Sequence, residues 1–310
     1  FFPTNTLVTG YDIIFFWVAR MIIMGEEFMK KVPFDKVFIH GLVRDEQGRK
    51  MSKSLGNGID PLEVVKKYGA DTLRFMLITG NTPGNDMRFY WNRIESVRNF
   101  ANKIWNATRF ALMNMDGYDP KAQLAPYTLA DQWILSRLQN AVTDVTSLLE
   151  RFELGEAGRV IYEFIWNEVC DWYIEIAKPR LYGKETPEAR ATAQHVLLTV
   201  LTGAMKLLHP YMPFITEEIY HALPHDCDSI MISPWPKADA KLVNKDAEVA
   251  MTAIMEAIKG IRNMRAEVNA VPSRKVPATV IVVPELLEVV QKNAAYVELL
   301  GNVSELTILP

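Results

Sequence analysis

Four amphipathic segments between residues 128 and 224 constrain the fold of this chain more than any other sequence feature. Each has apolar residues at helical spacing and carries a start or stop signal, such as a capping box, an N1 proline or a terminating proline. In chain order these signals are Thr128 with Asp131, Gly155 with Gly158 and then Pro179, Thr186-Pro187-Glu188, and the interval from Pro213 to Pro224. Because the connections are short, the segments predict helices packed as an antiparallel bundle.

A glycine-bracketed loop with two lysines is the strongest chemical signal in the chain. It reads GRKMSKSLGN over residues 48–57 and follows a short apolar stretch. Glycine lets the backbone adopt a positive φ and approach an anion closely, while Lys50 and Lys53 are flexible point charges that can follow a phosphate. Ser52 and Ser54 add hydroxyl donors. A solvated lysine turn is the alternative, and the complete pattern favours phosphate handling over it.

The N-terminal third has the patterns of an α/β layer. Residues 10–29 are expected to form a loop that enters an apolar helix buried on most of its faces. Residues 36–43 are β-branched and aromatic and end near glycine, which predicts a fully buried parallel strand. Two helices are predicted within residues 61–79, with a break at Gly69 and an N-cap at Asp60.

The rest of the chain is predicted to be helical except at its end. Residues 92–112 form a helix with one polar and one apolar side. Asn244 is expected to cap a helix that runs to about Val268, and residues 276–309 have the pattern strand, helix, strand. Three cationic residues lie at three-residue intervals near the end of the Asn244 helix: Lys259, Arg262 and Arg265. They either interact favourably with the helix dipole or form an RNA-binding stripe, and the first interpretation is favoured.

Composition sets limits on function. With 310 residues and 49% hydrophobic residues, the chain can form two or three domains with cores. A net charge of -3 means that any contact with RNA depends on local basic patches. The two cysteines, Cys170 and Cys227, lack metal-site spacing, so neither a metal site nor a disulfide is predicted. The longest apolar run is shorter than the roughly 20 residues that span a bilayer, so no membrane partner is expected.

The lysine loop resembles the KMSKS signature of the class I aminoacyl-tRNA synthetases. Its surroundings resemble the valyl-tRNA synthetase family in particular, and the similar segments occur in the family's order. They are GYDIIFFWVARM at residues 10–21, TPGNDMRF at residues 82–89, RNFANKIWN at residues 98–106 and HPYMPFITEE at residues 209–218. The second of these segments differs in the leucyl and isoleucyl families, which remain the alternative within this class.

This resemblance implies a fold class of α/β plus all-α. Residues 1–90 are expected to be the C-terminal half of a Rossmann-like nucleotide-binding fold with the KMSKS loop and a connector. Residues 91–243 correspond to an antiparallel helical bundle that binds the anticodon. Residues 244–310 correspond to a long helix and a small α/β appendage. The implied activity is that of an aminoacyl-tRNA ligase, which activates valine with ATP and transfers it to tRNA(Val).

The resemblance also assigns site residues. Lys50 and Lys53 are the expected catalytic residues, acting on the leaving phosphates, and ATP is expected as a substrate with Mg2+, without a tightly bound cofactor. The expected ATP-binding residues are Gly10, Asp12, His40, Gly41, Met51, Ser52 and Lys53. Trp17 is expected to line the valine pocket, although an apolar-helix indole alone is more typical of core packing. The expected tRNA-binding residues are Arg98, Asn102, Lys103 and Arg109, for which a solvated helix face is the alternative.

One signature of the family is missing from these residues. No two of the five histidines have the His-x-Gly-His spacing of the family's other catalytic motif. The chain is therefore expected to be the C-terminal part of a synthetase and to be inactive in isolation. The alternative function is a non-catalytic tRNA-binding module. A cytoplasmic location is expected, because the cysteine usage suits a reducing compartment. The protein is also expected to be a monomer.

Overall fold

The computed structural model describes residues 1–80, 82–271 and 273–310. The chain forms two compact units. The first unit contains Phe1–Asn102, Asp144–Val160 and Leu208–Thr216. The second unit contains Lys103–Thr143, Ile161–Leu207 and Glu217–Pro310.

The first unit begins with a pair of parallel strands joined by a helical segment. Strand β1 (Thr4–Gly10) pairs with β2 (Phe34–His40), and Gly10 is aligned with His40 at their carboxyl ends. Residues 11–29 between them are helical throughout: a 3₁₀ turn, a π-helical turn, helix α1 (Ala19–Met24) and a second π-helical turn. The parallel pairing predicted for the second strand is confirmed. The first strand was not predicted, because TNTLVTG lacks a sustained apolar pattern.

Burial of these elements differs from the prediction. In residues 11–29 only Val18 and Gly25 are buried, and Phe15 is 86% exposed. Most of β2 is exposed or half-buried as well. The expectation of an interior helix and a fully buried strand is therefore wrong for this chain, because a sheet of two strands has too little surface to cover both.

A pair of short strands brackets the lysine loop and the connector that follows it. Strand β3 (Val43–Arg44) pairs in parallel with β4 (Met87–Arg88). Helices α2 (Pro61–Tyr68) and α3 (Ala70–Thr79) lie between them and meet at Gly69, whose φ is 91°. The Asp60 side chain accepts the N–H of Leu62 and caps α2. The predicted break and cap are confirmed.

An apolar cluster holds the connector together. Its buried members come from α2, α3, β4, the residue after β4 and the start of the next helix, and the loop residue Met51 packs against it. They are Val64, Tyr68, Met76, Met87, Phe89 and Ile94. Within the same unit, Asp71 of α3 accepts the backbone N–H groups of Phe214 and Ile215, at 3.2 and 2.7 Å. The part of the HPYMPFITEE segment that lies in this unit, residues 209–216, is thereby attached to the connector.

The remaining helices occur where the sequence predicts them. Helix α4 is Trp91–Met113, α5 is Leu129–Glu150, α6 is Leu154–Glu163, α7 is Ile174–Leu181, α8 is Pro187–Leu208, α9 is Pro213–Ala222 and α10 is Lys245–Glu267. The Thr128–Asp131 capping box is formed, with Asp131 Oδ2 accepting the Thr128 N–H at 3.0 Å and Thr128 Oγ1 accepting that of Asp131 at 3.3 Å. Asn244 caps α10 through the N–H of Ala247.

One predicted helix end is misplaced. Helix α6 continues through a π-helical stretch, Phe164–Tyr173, into α7, and Pro179 lies inside α7 instead of ending it. An interior proline removes one backbone N–H and crowds the preceding turn, but only Arg180 and Leu181 follow Pro179 in the helix, and Arg180 is held by hydrogen bonds to Asp131. The helix therefore continues to Leu181.

Helix α8 is a long apolar helix, and all but its last residue belongs to the second unit. Its length and composition would allow it to cross a bilayer, but 67% of its most apolar stretch is buried inside the protein. Ala193, Val196, Leu197 and Val200 are fully buried. Its apolarity is therefore that of a core helix.

The C-terminal residues form the predicted small α/β structure. Strand β5 (Val276–Ile281) pairs in parallel with β6 (Val303–Leu309). Two helices connect them, α11 (Pro284–Lys292) and α12 (Ala294–Gly301), where one was predicted. Asn293, between them, has a non-helical backbone, which divides the connection in two.

Candidate active site

Several predicted site residues meet at the carboxyl ends of β1 and β2. A methyl group on Gly10 would lie 2.9 Å from Asp12 Oδ1 and 3.5 Å from His40 Cε1, so all three residues are neighbours. His40 Nδ1 lies 2.8 Å from the carbonyl oxygen of Gly41. Ligands of open α/β sheets gather at such strand ends.

Lys50 reaches this group from the lysine loop. Its Nζ lies 3.1 Å from Asp12 Oδ2, with the Lys50 side chain 62% and the Asp12 side chain 31% exposed. The structure thus joins a predicted phosphate ligand to the predicted ribose ligand in a solvent-accessible ion pair. Such a pair contributes little to stability, so its partners are available to a competing ligand.

The lysine loop itself has a fixed start and an exposed tip. Gly48 and Gly56 have φ values of 81° and 61°, a conformation that favours glycine. Between them Ser52 Oγ lies 3.2 Å from Ser54 Oγ and accepts the N–H of Leu55. Lys53 lies at the exposed tip, and no ion pair is found for it among the described residues.

The segment of residues 82–89 packs directly on the strand ends. A methyl group on Gly41 would lie 1.8 Å from the carbonyl oxygen of Asn85, so only glycine fits there. The adjacent Asp86 accepts the N–H of Leu42 at 2.7 Å, the hydroxyl of Tyr11 at 3.1 Å and a short hydrogen bond from Arg44. The bond from Leu42 is the main cause that lowers the pKa of Asp86, although burial opposes it.

Asp45 and Asn57 form a second polar cluster at the base of the loop. Asp45 is 7% exposed and accepts the backbone N–H and Nε of Arg49 and the amide of Asn57. The hydrogen bond from Asn57 is the largest cause that lowers the pKa of Asp45 to about 2. Sequence reasoning missed Asp45, Asn57 and Asp86. Their positions beside the signature residues are the only signal that would have indicated them.

The other predicted ligands are more dispersed. Trp17 lies on the π-helical turn after Asp12 and is 57% exposed, so it is not a core residue of this chain. Met51 directs its side chain toward the connector core. His40 and Gly41 also line an apolar cavity of about 250 Å³, with Leu77, Pro83 and Leu154 among its other walls.

The predicted tRNA-binding residues of α4 have different environments. In the first unit, Arg98 lies over the ring of Tyr68 at 5.7 Å and Asn102 is exposed. In the second unit, Arg109 is exposed.

Lys103 in the second unit is already paired. Its Nζ lies 2.6 Å from Asp171 Oδ1 and 3.7 Å from the centre of the Trp166 ring. It is therefore less available than Arg109.

The three cations near the end of α10 have intramolecular partners. Arg262 donates to the carbonyl of Leu300 at 2.9 Å, and Arg265 donates to that of Val271 at 3.1 Å. Lys259 and Arg262 both lie over the ring of Trp172. These contacts are structural ones within the second unit, a role that the sequence did not predict.

Comparison with known proteins gives matches over both parts of the chain. Residues 1–90 match the profile of the class I tRNA synthetases (I, L, M and V). Residues 131–281 match that of the anticodon-binding domain of tRNA ligases. Among solved structures, the chain is similar to a LeuRS–tRNA–LeuAMS ternary complex from Agrobacterium radiobacter, with TM-score 0.59 and 24% identity over 77% of this chain and 30% of that one.

A methionyl-tRNA synthetase from Mycobacterium tuberculosis, in complex with methionyl-adenylate, has the same TM-score of 0.59, with 24% identity over 70% of this chain and 43% of that one. At this identity the two structures establish the fold alone. The profile over residues 1–90 identifies that part of the chain as related to the class I tRNA synthetases.

The curated relatives are more specific. The chain is 54% identical to a valine–tRNA ligase of Carboxydothermus hydrogenoformans and 55% identical to one of Clostridium perfringens, in each case over 100% of its own length. The chain is thus homologous to valine–tRNA ligases from end to end. It spans about a third of their length, 35% of each.

Proposed function

We propose that this chain is the segment of a valine–tRNA ligase that carries the KMSKS half of the catalytic fold and the anticodon-binding domain. The full enzyme activates valine with ATP and transfers it to tRNA(Val). The observation that carries this proposal is the ion pair between Lys50 and Asp12 at the ends of two parallel strands. It brings a signature lysine next to a carboxylate suited to a ribose.

The proposed reaction has two steps. The carboxylate of valine attacks the α-phosphate of ATP, which is bound as its Mg2+ complex, and pyrophosphate leaves. A terminal ribose hydroxyl of the tRNA then attacks the carbonyl carbon of valyl-adenylate, and AMP leaves. Enzymes accelerate such transfers mainly by positioning the reactants and stabilising developing charge.

The site residues would divide this work. Lys50 and Lys53 stabilise the negative charge that grows on the departing phosphates. Asp12 accepts hydrogen bonds from the ribose hydroxyls, and these bonds replace its ion pair with Lys50. Gly10 lies beside Asp12 where the nucleotide would bind, and Gly41 lets residues 82–89 pack against the strand ends that it would contact. His40, Met51 and Ser52 would lie along the nucleotide.

Trp17 forms one wall of the valine pocket in this proposal. Its indole is 57% exposed here, as are several apolar neighbours on residues 11–29. In the complete enzyme, we propose that this apolar surface packs against the rest of the catalytic fold. The C-terminal half of a Rossmann-like fold formed by residues 1–90 would then be completed.

The other regions bind the tRNA. We propose residues 91–243 as an anticodon-binding bundle and residues 244–310 as an appendage. Arg98, Asn102, Lys103 and Arg109 contact the RNA through phosphate or base groups. The match to an anticodon-binding domain over residues 131–281 supports tRNA binding by this part of the chain; it begins after residue 91 and runs past residue 243. The enzyme is proposed to act as a cytoplasmic monomer.

Valine-dependent exchange of pyrophosphate into ATP tests the proposal. The full-length enzyme is expected to catalyse this exchange with valine. Exchange with leucine should be far slower than with valine, and exchange with isoleucine should be detectably slower. The isolated chain is expected to have no activity, because it lacks the His-x-Gly-His motif. A full-length protein active with leucine or isoleucine instead would contradict the valine assignment. Exchange catalysed by the isolated chain would contradict the claim that an essential part of the catalytic site lies outside it.

A further inference from the structure

The side chain of Asn57 closes the lysine loop on itself. Its Nδ2 donates to Asp45 Oδ2 at 2.9 Å and to the carbonyl of Lys50 at 3.3 Å. Its Oδ1 accepts the N–H of Ser52 at 3.0 Å. One amide therefore bonds to the backbone on both sides of Met51 and uses its donor and acceptor groups together.

Asp45 anchors this amide to the start of the loop. Its backbone N–H donates to the carbonyl of Arg49 at 3.0 Å, and its carbonyl accepts the N–H of Gly48 at 2.9 Å. Its carboxylate accepts two further hydrogen bonds from Arg49, at 2.7 and 2.8 Å. Because hydrogen bonds to a charged acceptor are stronger than neutral ones, this carboxylate is a firm attachment point for Asn57.

The result is a loop with a fixed base and a short exposed tip. The backbone at Lys50 and Ser52 is held by Asn57, whereas Lys53, Ser54 and Leu55 are exposed. Fixing a loop before a ligand arrives reduces the conformational freedom that binding must remove. The base of the loop is thus preorganised, and Lys53 retains the freedom to follow a moving phosphate.

We propose that Asn57 is a positioning residue for adenylate formation, holding the backbone of Lys50 and Ser52 through Asp45 so that both lysines reach the phosphates. This inference rests on the proposed function, since it requires the loop to act on ATP. Asn57 itself contacts no reacting group. Its effect on the rate is exerted entirely through the placement of Lys50 and Lys53.

The test uses the full-length enzyme that contains this chain. Single-turnover formation of valyl-adenylate and the affinity for ATP are measured for the unsubstituted enzyme and for Asn57→Ala. Misplacement of catalytic groups by about 1 Å can cost on the order of a hundredfold in rate, so we expect a loss of about 10- to 100-fold. The affinity for ATP should change much less. Asn92→Ala, at an exposed position of α4, is the matched control and should leave both quantities unchanged.

A charge exchange separates positioning from simple destabilisation. Asn57→Asp places a second carboxylate against Asp45 and removes the donor to the Lys50 carbonyl, so its rate should fall below that of Asn57→Ala. Adding Asp45→Asn to this variant restores an amide–carboxylate pair and should recover part of the rate. Thermal unfolding of each variant identifies any that fail to fold.

The possible outcomes are distinct. An active enzyme in which Asn57→Ala leaves the rate unchanged, or in which lost ATP affinity accounts for the whole decrease, overturns the role of Asn57 alone. Failure of the charge exchange to recover any rate in a folded double variant also overturns it. Absence of valine-dependent activity in the unsubstituted enzyme overturns the proposed function and, with it, the premise of this inference.

Discussion

Asp131 and Arg180 form an ion pair with two hydrogen bonds in the interior of the second unit. Arg180 Nη1 lies 2.6 Å from Asp131 Oδ2, and Nη2 lies 2.8 Å from Oδ1. Asp131 is fully buried, and the hydroxyl of Tyr173 donates to Oδ1 at 2.8 Å. Burial opposes ionisation of Asp131, but the hydrogen bonds from Arg180 and Thr128 outweigh it and lower its pKa. One carboxylate therefore both caps α5 and neutralises a buried arginine of α7.

Replacing Asp131 with alanine should strongly destabilise the chain. The guanidinium of Arg180 would remain buried without its counter-charge, which typically costs about 3–5 kcal/mol. Urea unfolding of the purified chain measures the change. Glu288→Ala is the control. Both side chains of the Glu288–Lys292 ion pair are exposed, so the pair should contribute little to stability. If the two substitutions lowered the free energy of unfolding equally, burial of the Asp131–Arg180 pair would not explain its contribution to stability.

Gly41→Ala should disrupt the strand ends, whereas Gly58→Ala should not. A methyl group at position 41 would meet the backbone carbonyl of Asn85 at 1.8 Å, so the chain would have to move. At position 58 no atom lies within 4 Å of the added carbon. In the full-length enzyme, we expect a lower melting temperature and loss of adenylate formation for the first variant only. Equal melting temperatures would show that residues 82–89 can shift without cost.

Lys53→Ala in the full-length enzyme should reduce the rate of adenylate formation far more than the affinity for ATP. Removing one preorganised charge partner of a transition state typically costs about 3 kcal/mol, or roughly a hundredfold in rate. Lys53→Arg should restore only part of the rate, since a planar guanidinium does not replace a point charge. Single-turnover kinetics and equilibrium binding separate the effects. A parallel loss of affinity and rate would make Lys53 a ground-state ligand instead.

Binding of labelled tRNA to the isolated chain should weaken as salt increases. Each phosphate contact contributes a slope of about −0.7 to −0.9 in a plot of log affinity against log salt. Arg109→Ala should make this slope less steep by about the contribution of one phosphate contact. Lys103→Ala should reduce it less, because Lys103 is paired with Asp171. Binding that does not depend on salt would argue against phosphate contacts by either residue.

Cys170 should react slowly with iodoacetamide in the folded chain. Burial raises the pKa of its thiol to about 12, so only roughly one thiol in ten thousand is ionised at pH 8. The rate is measured in a Cys227→Ser variant, folded and in urea. A folded rate equal to the unfolded one would contradict this prediction.

The same shift makes stability depend on alkaline pH. The folded protein retains the Cys170 proton between the ordinary pKa of 9.0 and about 12, while the unfolded chain loses it. Stability should therefore fall as pH rises through this range. Cys170→Ala should lessen that dependence, which urea unfolding at pH 8 and pH 10 would measure.

Local chemistry explains what the sequence could predict. The caps at Asp60, Thr128 and Asn244 each satisfy a helix N-terminus through neighbouring atoms, so their outcome hardly depends on the rest of the fold. Burial of residues 11–29 and the end of α7 depend on distant residues. No periodicity indicates that Arg180 will bind Asp131 and let the helix pass Pro179.

The candidate site shows the same limit. The lysine loop was apparent because its residues are contiguous. The contact of Lys50 with Asp12 was not predicted, because it depends on strand β1, which the sequence did not indicate. Asp86 was not identified, because its partners Tyr11, Leu42 and Arg44 are 42–75 positions away in the sequence. Single-sequence patterns contain no information on such pairings.

The burial of α8 has a consequence for the kinetics of amide hydrogen exchange. Its fully buried residues, such as Val196, Leu197 and Val200, are enclosed by the core of the second unit. Solvent can reach their N–H groups only when that core opens as a whole. Deuterium should therefore enter α8 last among the helices of this unit, at a rate that reports its global opening. The exposed turns at the start of the chain should exchange long before it.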